Sequence, residues 1–182
     1  MAASESASAA HLALAMDLDR VEALSDDLER VAEDRDAAGL MRALTGMFKA
    51  RVPHYHWVGI YLLEGQELRL GPYSGAPSPH ARIPVGQGIC GAAARAGESI
   101  VVPDVHADQR YLACSLATRS EIVVPILDNG RVLGEIDIDS DRPNAFNEHD
   151  QALLERAASL IAGALARAPR KPHWDEPEAV TG

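Results

Sequence analysis

The stretch of residues 120–140, SEIVVPILDNGRVLGEIDIDS, decides the fold of this chain. Its two apolar runs flank residues 128–130 (DNG), a combination typical of the turn in a β-hairpin. A two-residue turn would mix isoleucines and carboxylates on one face, whereas a three-residue loop with Gly130 in the left-handed conformation separates them. That loop places Leu127 opposite Arg131. We expect this register, because a slip by one residue exchanges the faces of a strand. Its apolar face holds Ile122, Val124, Ile126, Val132, Gly134, Ile136 and Ile138.

The same register collects acidic residues on the other face of the hairpin, namely Glu121, Glu135, Asp137 and Asp139. Glu121 is then directly across from Asp137, at about 5 Å, where like charges are destabilising. One interpretation is a solvated sheet face. A second is a cluster that shares a proton, because neighbouring carboxylates raise each other's pKa. A third is a site for magnesium or calcium. The residues alone leave these alternatives open.

The segments around the hairpin predict an α+β fold, in which helices cover one face of an antiparallel sheet. We expect a disordered segment over residues 1–16, a single domain over 17–168 and a disordered tail over 169–182. Apolar spacing predicts helices over 17–33, 36–51 and 89–96 and a long helix after Asn147, with Asp150 as its capping-box partner; strands are predicted over 56–63, 67–70, 82–85 and 99–102.

Composition excludes several classes of function. The 182 residues include 17 Lys and Arg against 27 Asp and Glu, a net charge of -10, so phosphate backbones and anionic membranes would repel the chain. The N-terminus lacks the basic region of a secretory signal, and no apolar run approaches the roughly 20 residues that span a bilayer. We therefore expect a cytoplasmic protein. With only two cysteines, a disulfide-dense fold and a four-cysteine zinc site are excluded.

The two cysteines and one aromatic pair are the other candidate site residues. Cys90 lies near the start of a predicted helix, where a thiolate is stabilised, and Cys114 lies in a loop shortly before residue 121. Two inert, buried thiols are the alternative. Trp57 and Tyr61, four apart on a strand, share a face that either packs in the core or holds a methyl or cationic group. His54 lies two residues from a second histidine, but without a partner at ligand spacing a zinc site is not favoured.

Four segments of the chain resemble the GAF-domain free methionine-(R)-sulfoxide reductases, over residues 40 to 165. They are HWVGIYLL (56–63), RIPVG (82–86) with Cys90-Gly91, SEIV (120–123) and GEIDIDS (134–140). The resemblance implies a GAF-like, six-stranded antiparallel sheet with the N- and C-terminal helices packed on one face, and a homodimer. GAF domains are generally small-ligand binding modules, so a non-catalytic sensor or dimerisation module is the alternative function.

The resemblance also implies roles for individual residues. Cys114 would attack the sulfur of free methionine (R)-sulfoxide, and Cys90 would resolve the sulfenic acid as a disulfide, which a thioredoxin-type reductant reopens. No metal or organic cofactor is implied. The implied substrate-binding residues are Glu121, Asp137, Asp139, Trp57 and Tyr61, with the acids holding a proton and the substrate ammonium and the aromatic rings enclosing the methyl end. One position departs from the family: many relatives have a further cysteine where this chain has His80.

Overall fold

A computed structural model describes residues 16–112 and 115–181 of the chain. The predicted disordered segment therefore lies outside the described residues, except for Met16, which is buried. Among the helices that the structure describes, none is long and apolar enough to span a membrane. The elements in chain order are α1 (Leu18–Ala32), α2 (Ala37–Arg51), β1 (Trp57–Glu64), β2 (Glu67–Ser74), β3 (Arg82–Pro84), α3 (Gly88–Ala96), β4 (Ile100–Val102), a 3-10 turn (Val105–Ala107), β5 (Ser120–Asp128), β6 (Arg131–Ser140), α4 (Glu148–Arg167) and β7 (Glu178–Ala179).

Six strands form one antiparallel sheet in the order β3-β2-β1-β6-β5-β4, which confirms the predicted architecture. The sheet is covered on both faces. Helices α1, α2 and α4 bury the larger core, which includes Leu28, Leu44, Phe48, Ile122, Val124, Ile136, Ile138, Leu154 and Ile161. A smaller apolar cluster on the other face combines α3 with strand residues, including Tyr61, Leu70, Ile83, Ile89 and Val123. The N- and C-terminal helices therefore share one face, as predicted, and α3 covers the opposite one.

The turn of the β5–β6 hairpin differs from the prediction. Asp128 pairs with Arg131 across a two-residue turn in which Asn129 and Gly130 both have positive φ, 50° and 78°. This is the turn whose twist matches that of the strands. A bulge then adds Leu133 to β6, so that the following residues return to the faces expected for them.

The bulge changes two predicted placements. Glu121 lies opposite Asp139, not Asp137, so the predicted cross-strand pair was wrong by two residues. Val132 packs with the α3-side cluster, whereas Leu133 is in the helix-side core, so Val132 was assigned to the wrong face. The remaining apolar and acidic residues of the hairpin keep their predicted faces.

The start of α4 forms the predicted capping box. The Asn147 side chain accepts hydrogen bonds from the backbone N–H groups of His149 and Asp150, and the Asp150 carboxylate accepts from the N–H of Asn147. Asp150 is fully buried and also accepts from the Tyr55 hydroxyl at 2.9 Å, while His54 Nε2 lies 2.7 Å from its Oδ1. His54 is therefore part of the helix-side core.

The tail predicted to be disordered is instead anchored to the sheet through Trp174 and strand β7 (Glu178–Ala179). Strand β7 pairs in parallel with β2, beside β3. Trp174 packs on Gly71, where a Cβ would lie 2.8 Å from the indole, and its Nε1–H donates to Glu178. Glu178 in turn accepts from Arg42 Nε at 2.7 and 2.8 Å. The prolines and acids of the tail predicted disorder, and the anchoring role of Trp174 was overlooked.

Candidate functional site

The four hairpin acids lie on the face of the sheet that α3 covers, and all of them are buried. Their exposed fractions are 5% for Glu121, 0% for Glu135, 2% for Asp137 and 5% for Asp139. The interpretation of a solvated sheet face was therefore wrong. Among the ion pairs within residues 16–112 and 115–181, none involves these acids. Burial without a countercharge favours the neutral form of a carboxyl group.

Burial is the main cause of the raised pKa values in this cluster. It raises the pKa of Asp137 from 3.8 to about 7. It also raises the pKa of Glu121 and of Asp139 well above their ordinary values, and the charge of Asp137 adds to both shifts. The pKa of Glu135 is raised by burial and then by Asp137. Near neutral pH the cluster therefore holds protons that it can donate.

The thiol of Cys90 lies against two of these acids. Its Sγ is 3.3 Å from Oδ2 of Asp137 and 3.7 Å from Oε1 of Glu121, and the S–H group donates to them. The sharp entry into α3 makes this approach possible. Gly88 has φ 72°, and a Cβ at Gly91 would lie 2.5 Å from the carbonyl oxygen of residue 84. Only residues without a side chain let α3 pack so closely on the sheet.

Strand β1 places its aromatic residues beside the acids of β6. Trp57 pairs with Asp139 and Tyr61 pairs with Glu135. Between them lies Gly59, where a Cβ would overlap the Trp57 ring, so the indole lies over the glycine. Sequence reasoning missed this glycine, although a glycine between two aromatic residues on one strand face is a recognisable signal for close packing.

The two aromatic residues have different surroundings. The Trp57 ring stacks on Tyr73, with centroids 6.1 Å apart, and its Nε1–H donates to the Ala76 carbonyl at 2.9 Å. Tyr61 is fully buried, and its hydroxyl donates to the His80 carbonyl at 3.0 Å. His80, the position at which the family resemblance implies a further cysteine, therefore lies beside Tyr61.

A cavity of about 200 Å³ opens beside Trp57 and Asp139. It brings together parts of β1, the loop after β2, the segment before β5 and the end of β6. Its walls are formed by His56, Trp57, Ala76, Pro77, Ser78, Ser115, Ala117, Thr118, Asp139, Ser140 and Asp141. Cys114 lies outside the described residues, and its sequence neighbour Ser115 is in the wall. Of the other candidates, Trp57 and Asp139 line the cavity, whereas Tyr61, Cys90, Glu121 and Asp137 do not.

His56 is a cavity residue that sequence reasoning did not assign to the site. Its Nε2 is 3.1 Å from Oδ1 of Asp141, and its Nδ1 accepts the backbone N–H of Asp141 at 3.2 Å. Burial lowers the pKa of His56, so the ring is neutral at neutral pH. The signal available in the sequence was its position directly before Trp57.

Comparison with known proteins agrees with this fold. A model of the GAF domain matches residues 36–165, which defines the chain as a GAF-domain protein. The free methionine-R-sulfoxide reductase of Escherichia coli is 36% identical over 116 residues, covering 64% of this chain and 70% of that protein. The chain belongs to the free methionine-R-sulfoxide reductase family.

Two solved structures of the family are similar to the chain. The free methionine-R-sulfoxide reductase of Neisseria meningitidis, in complex with its substrate, is 34% identical with a TM-score of 0.75, over 79% of this chain and 87% of that one. The type II free methionine-R-sulfoxide reductase of Thermoplasma acidophilum is 39% identical with a TM-score of 0.69, over 74% and 94% of the two chains.

Proposed function

We propose that this protein reduces free methionine (R)-sulfoxide to methionine. The observation that carries the proposal is the small cavity between Trp57 and Asp139, backed by a buried cluster of carboxyls that hold protons near neutral pH. Sulfoxide reduction requires such a proton, because the oxygen that leaves the sulfoxide sulfur must be protonated as it is transferred. The activity named for the family relatives requires the same chemistry.

The first step is an attack by the Cys114 thiolate on the sulfoxide sulfur. The oxygen passes to the cysteine as a sulfenic acid while the sulfoxide sulfur is reduced to the thioether of methionine. A carboxyl of the cluster donates the proton that this transfer consumes. Asp139 is the acid in the cavity wall, and Asp137 and Glu121 lie behind it as the proton reserve.

The second step is the condensation of the sulfenic acid with a second thiol. Cys90 attacks the Cys114 sulfur, an S–S bond forms, and the hydroxyl leaves as water. In this chain Cys90 is the only second thiol, because His80 occupies the position of the further cysteine. A thioredoxin-type dithiol then reduces the disulfide and is itself oxidised, so the enzyme needs no bound metal or organic cofactor.

Free methionine sulfoxide suits the cavity in size and charge. A cavity of about 200 Å³ is below the range of about 300–1,000 Å³ typical of drug-sized ligands, which favours a single amino acid. The Trp57 ring contacts the methyl end of the substrate. Asp141, the other acid in the cavity wall, binds the free ammonium group, which a methionine within a peptide lacks. Tyr61 supports the cavity by holding the His80 carbonyl.

The test is NADPH oxidation coupled through thioredoxin and its reductase, with the separated epimers of free methionine sulfoxide. We expect turnover of the R epimer, none of the S epimer, and none with Cys114→Ser. Cys90→Ser should release one methionine per chain and then stop, unless a small thiol is added. Binding of the R epimer without turnover would favour the alternative, a GAF ligand sensor. We further propose a homodimer, which light scattering of the eluting protein tests.

A further inference from the structure

The thiol of Cys90 and the acids beside it have the composition of a metal site. The sulfur and one oxygen each of Glu121 and Asp137 lie within 4.8 Å of one another, and all three residues are buried. Oδ1 of Asp137 and both carboxylate oxygens of Glu135 have no hydrogen-bond partner in the described part of the chain. Unpartnered buried oxygens of this kind are rare and call for a partner.

The two sulfur-to-oxygen distances match tetrahedral zinc. A Zn–S bond of about 2.3 Å and a Zn–O bond of about 2.1 Å, at a tetrahedral angle, separate sulfur from oxygen by about 3.6 Å. The observed separations from Cys90 Sγ are 3.3 Å to Asp137 and 3.7 Å to Glu121. Small side-chain shifts would therefore bring three ligands to one ion, and the fourth position remains for water.

The charge and donor set select the type of cation. The described residues form no ion pair with this cluster, so a divalent cation that displaces its protons would supply the countercharge that the resulting buried carboxylates need. A thiolate ligand favours zinc over magnesium or calcium, which prefer oxygen ligands only.

We propose that Cys90, Glu121 and Asp137 form a zinc-binding site, and that zinc bound there inhibits the enzyme. Zinc displaces the thiol proton of Cys90 and the protons that Glu121 and Asp137 hold, and these protons pass to the solvent. A Zn–S bond and two Zn–O bonds form in their place. The cavity lies beside this cluster, because its wall residue Asp139 pairs with Glu121 across the sheet. The inhibition rests on the proposed function, since zinc would occupy the resolving thiol and the proton reserve. Zinc binding itself does not depend on that function.

Binding is tested in a Cys114→Ser background, where Cys90 is the only thiol. Cobalt(II) is the spectroscopic probe, with a phosphine as the reductant so that no competing thiol is present. We expect one cobalt per chain, a thiolate-to-cobalt charge-transfer band in the near ultraviolet, and displacement by one equivalent of zinc. No such band, or displacement by a hundredfold excess of magnesium, would overturn the proposal.

Substitutions then identify the ligands. In the same background, Cys90→Ser should remove the band, and Asp137→Asn should weaken zinc binding at least tenfold. Asp128→Asn, in the turn at the far end of the hairpin, is the matched control and should stay within twofold. Far-ultraviolet circular dichroism verifies that each variant is folded. Zinc affinity that does not depend on Cys90 would contradict the assignment.

Inhibition is measured separately in the protein with both cysteines. Zinc at a concentration that saturates the site should lower reductase turnover at least tenfold, and a chelator should restore it. Full turnover with the site saturated would refute the inhibitory role. If the protein has no reductase activity at all, the proposed function fails, and the cobalt titration still decides whether the site exists.

Discussion

Replacing Asp137 by Asn should make the folded protein less sensitive to rising pH. Asp137 is buried at 2% exposure, and its pKa is raised from 3.8 to about 7. Between those values the folded state holds a proton that the unfolded chain has already released. Because the folded pKa is the higher one, stability is greatest at low pH and falls as the pH rises towards 7.

The size of this effect follows from the pKa of Asp137. Each pH unit in the window costs about 1.36 kcal/mol, so the rise from about pH 5 to about pH 7 costs about 3 kcal/mol, and the loss levels off above that. Asn has nearly the same shape and carries no proton to lose. Relative to the wild type, the unfolding free energy of the variant should therefore increase by about 3 kcal/mol between pH 5 and pH 8. Loss of the Asp137 charge also lowers the pKa of Glu121 and of Asp139, which acts in the same direction.

Urea unfolding of both proteins at several pH values measures the difference directly. Asp128→Asn, an aspartate in the hairpin turn outside the cluster, is the matched control and should follow the wild type. If the Asp137→Asn curve runs parallel to that of the wild type between pH 5 and 8, Asp137 does not hold a proton in the folded protein. The acidic cluster would then not hold protons near neutral pH.

Three further substitutions test other parts of the structure. Gly59→Ala should raise KM at least tenfold with a smaller change in kcat, because a Cβ there would displace the Trp57 ring from the cavity wall; an unchanged KM in steady-state assays would contradict this packing. Asp139→Asn should lower kcat at neutral pH at least tenfold while the unfolding free energy is retained, and wild-type kcat would exclude Asp139 as a proton donor. Glu178→Gln should lower the unfolding free energy by about 1 kcal/mol, because it weakens the paired contacts with Arg42; equal urea midpoints would show that the tail adds no stability.

Alternation of residue types was enough to predict the two faces of the β5–β6 hairpin. The isoleucines and the carboxylates separate as expected because a strand has a strict period of two. The partner of Glu121 was predicted wrongly because the two-residue turn and the bulge together shift the pairing of β5 with β6 by two residues. A shift by two residues leaves every side chain beyond the bulge on its original face. Side-chain pattern alone does not distinguish these two solutions, since both bury the isoleucines and Val124 on the helix side and differ only at Val132 and Leu133.

The sequence pattern also did not predict that the four acids are buried. An alternating strand predicts one covered face, whereas here α3 covers the second face as well and brings Cys90 onto it. That contact depends on the close approach at Gly91, which becomes visible only in three dimensions. The packed tail was missed for a similar reason, because Trp174 finds its partners more than a hundred residues away at Gly71 and Arg42.

The most direct measurement is a single turnover without any added reductant. The fully reduced protein is mixed with one equivalent of free methionine (R)-sulfoxide, and the products are analysed by mass spectrometry after blocking of the remaining thiols. The proposed chemistry predicts one methionine released per chain and a peptide pair that joins Cys90 to Cys114, with neither product from the S epimer. Two cysteines that both carry the blocking reagent, together with unreduced methionine (R)-sulfoxide, would contradict it.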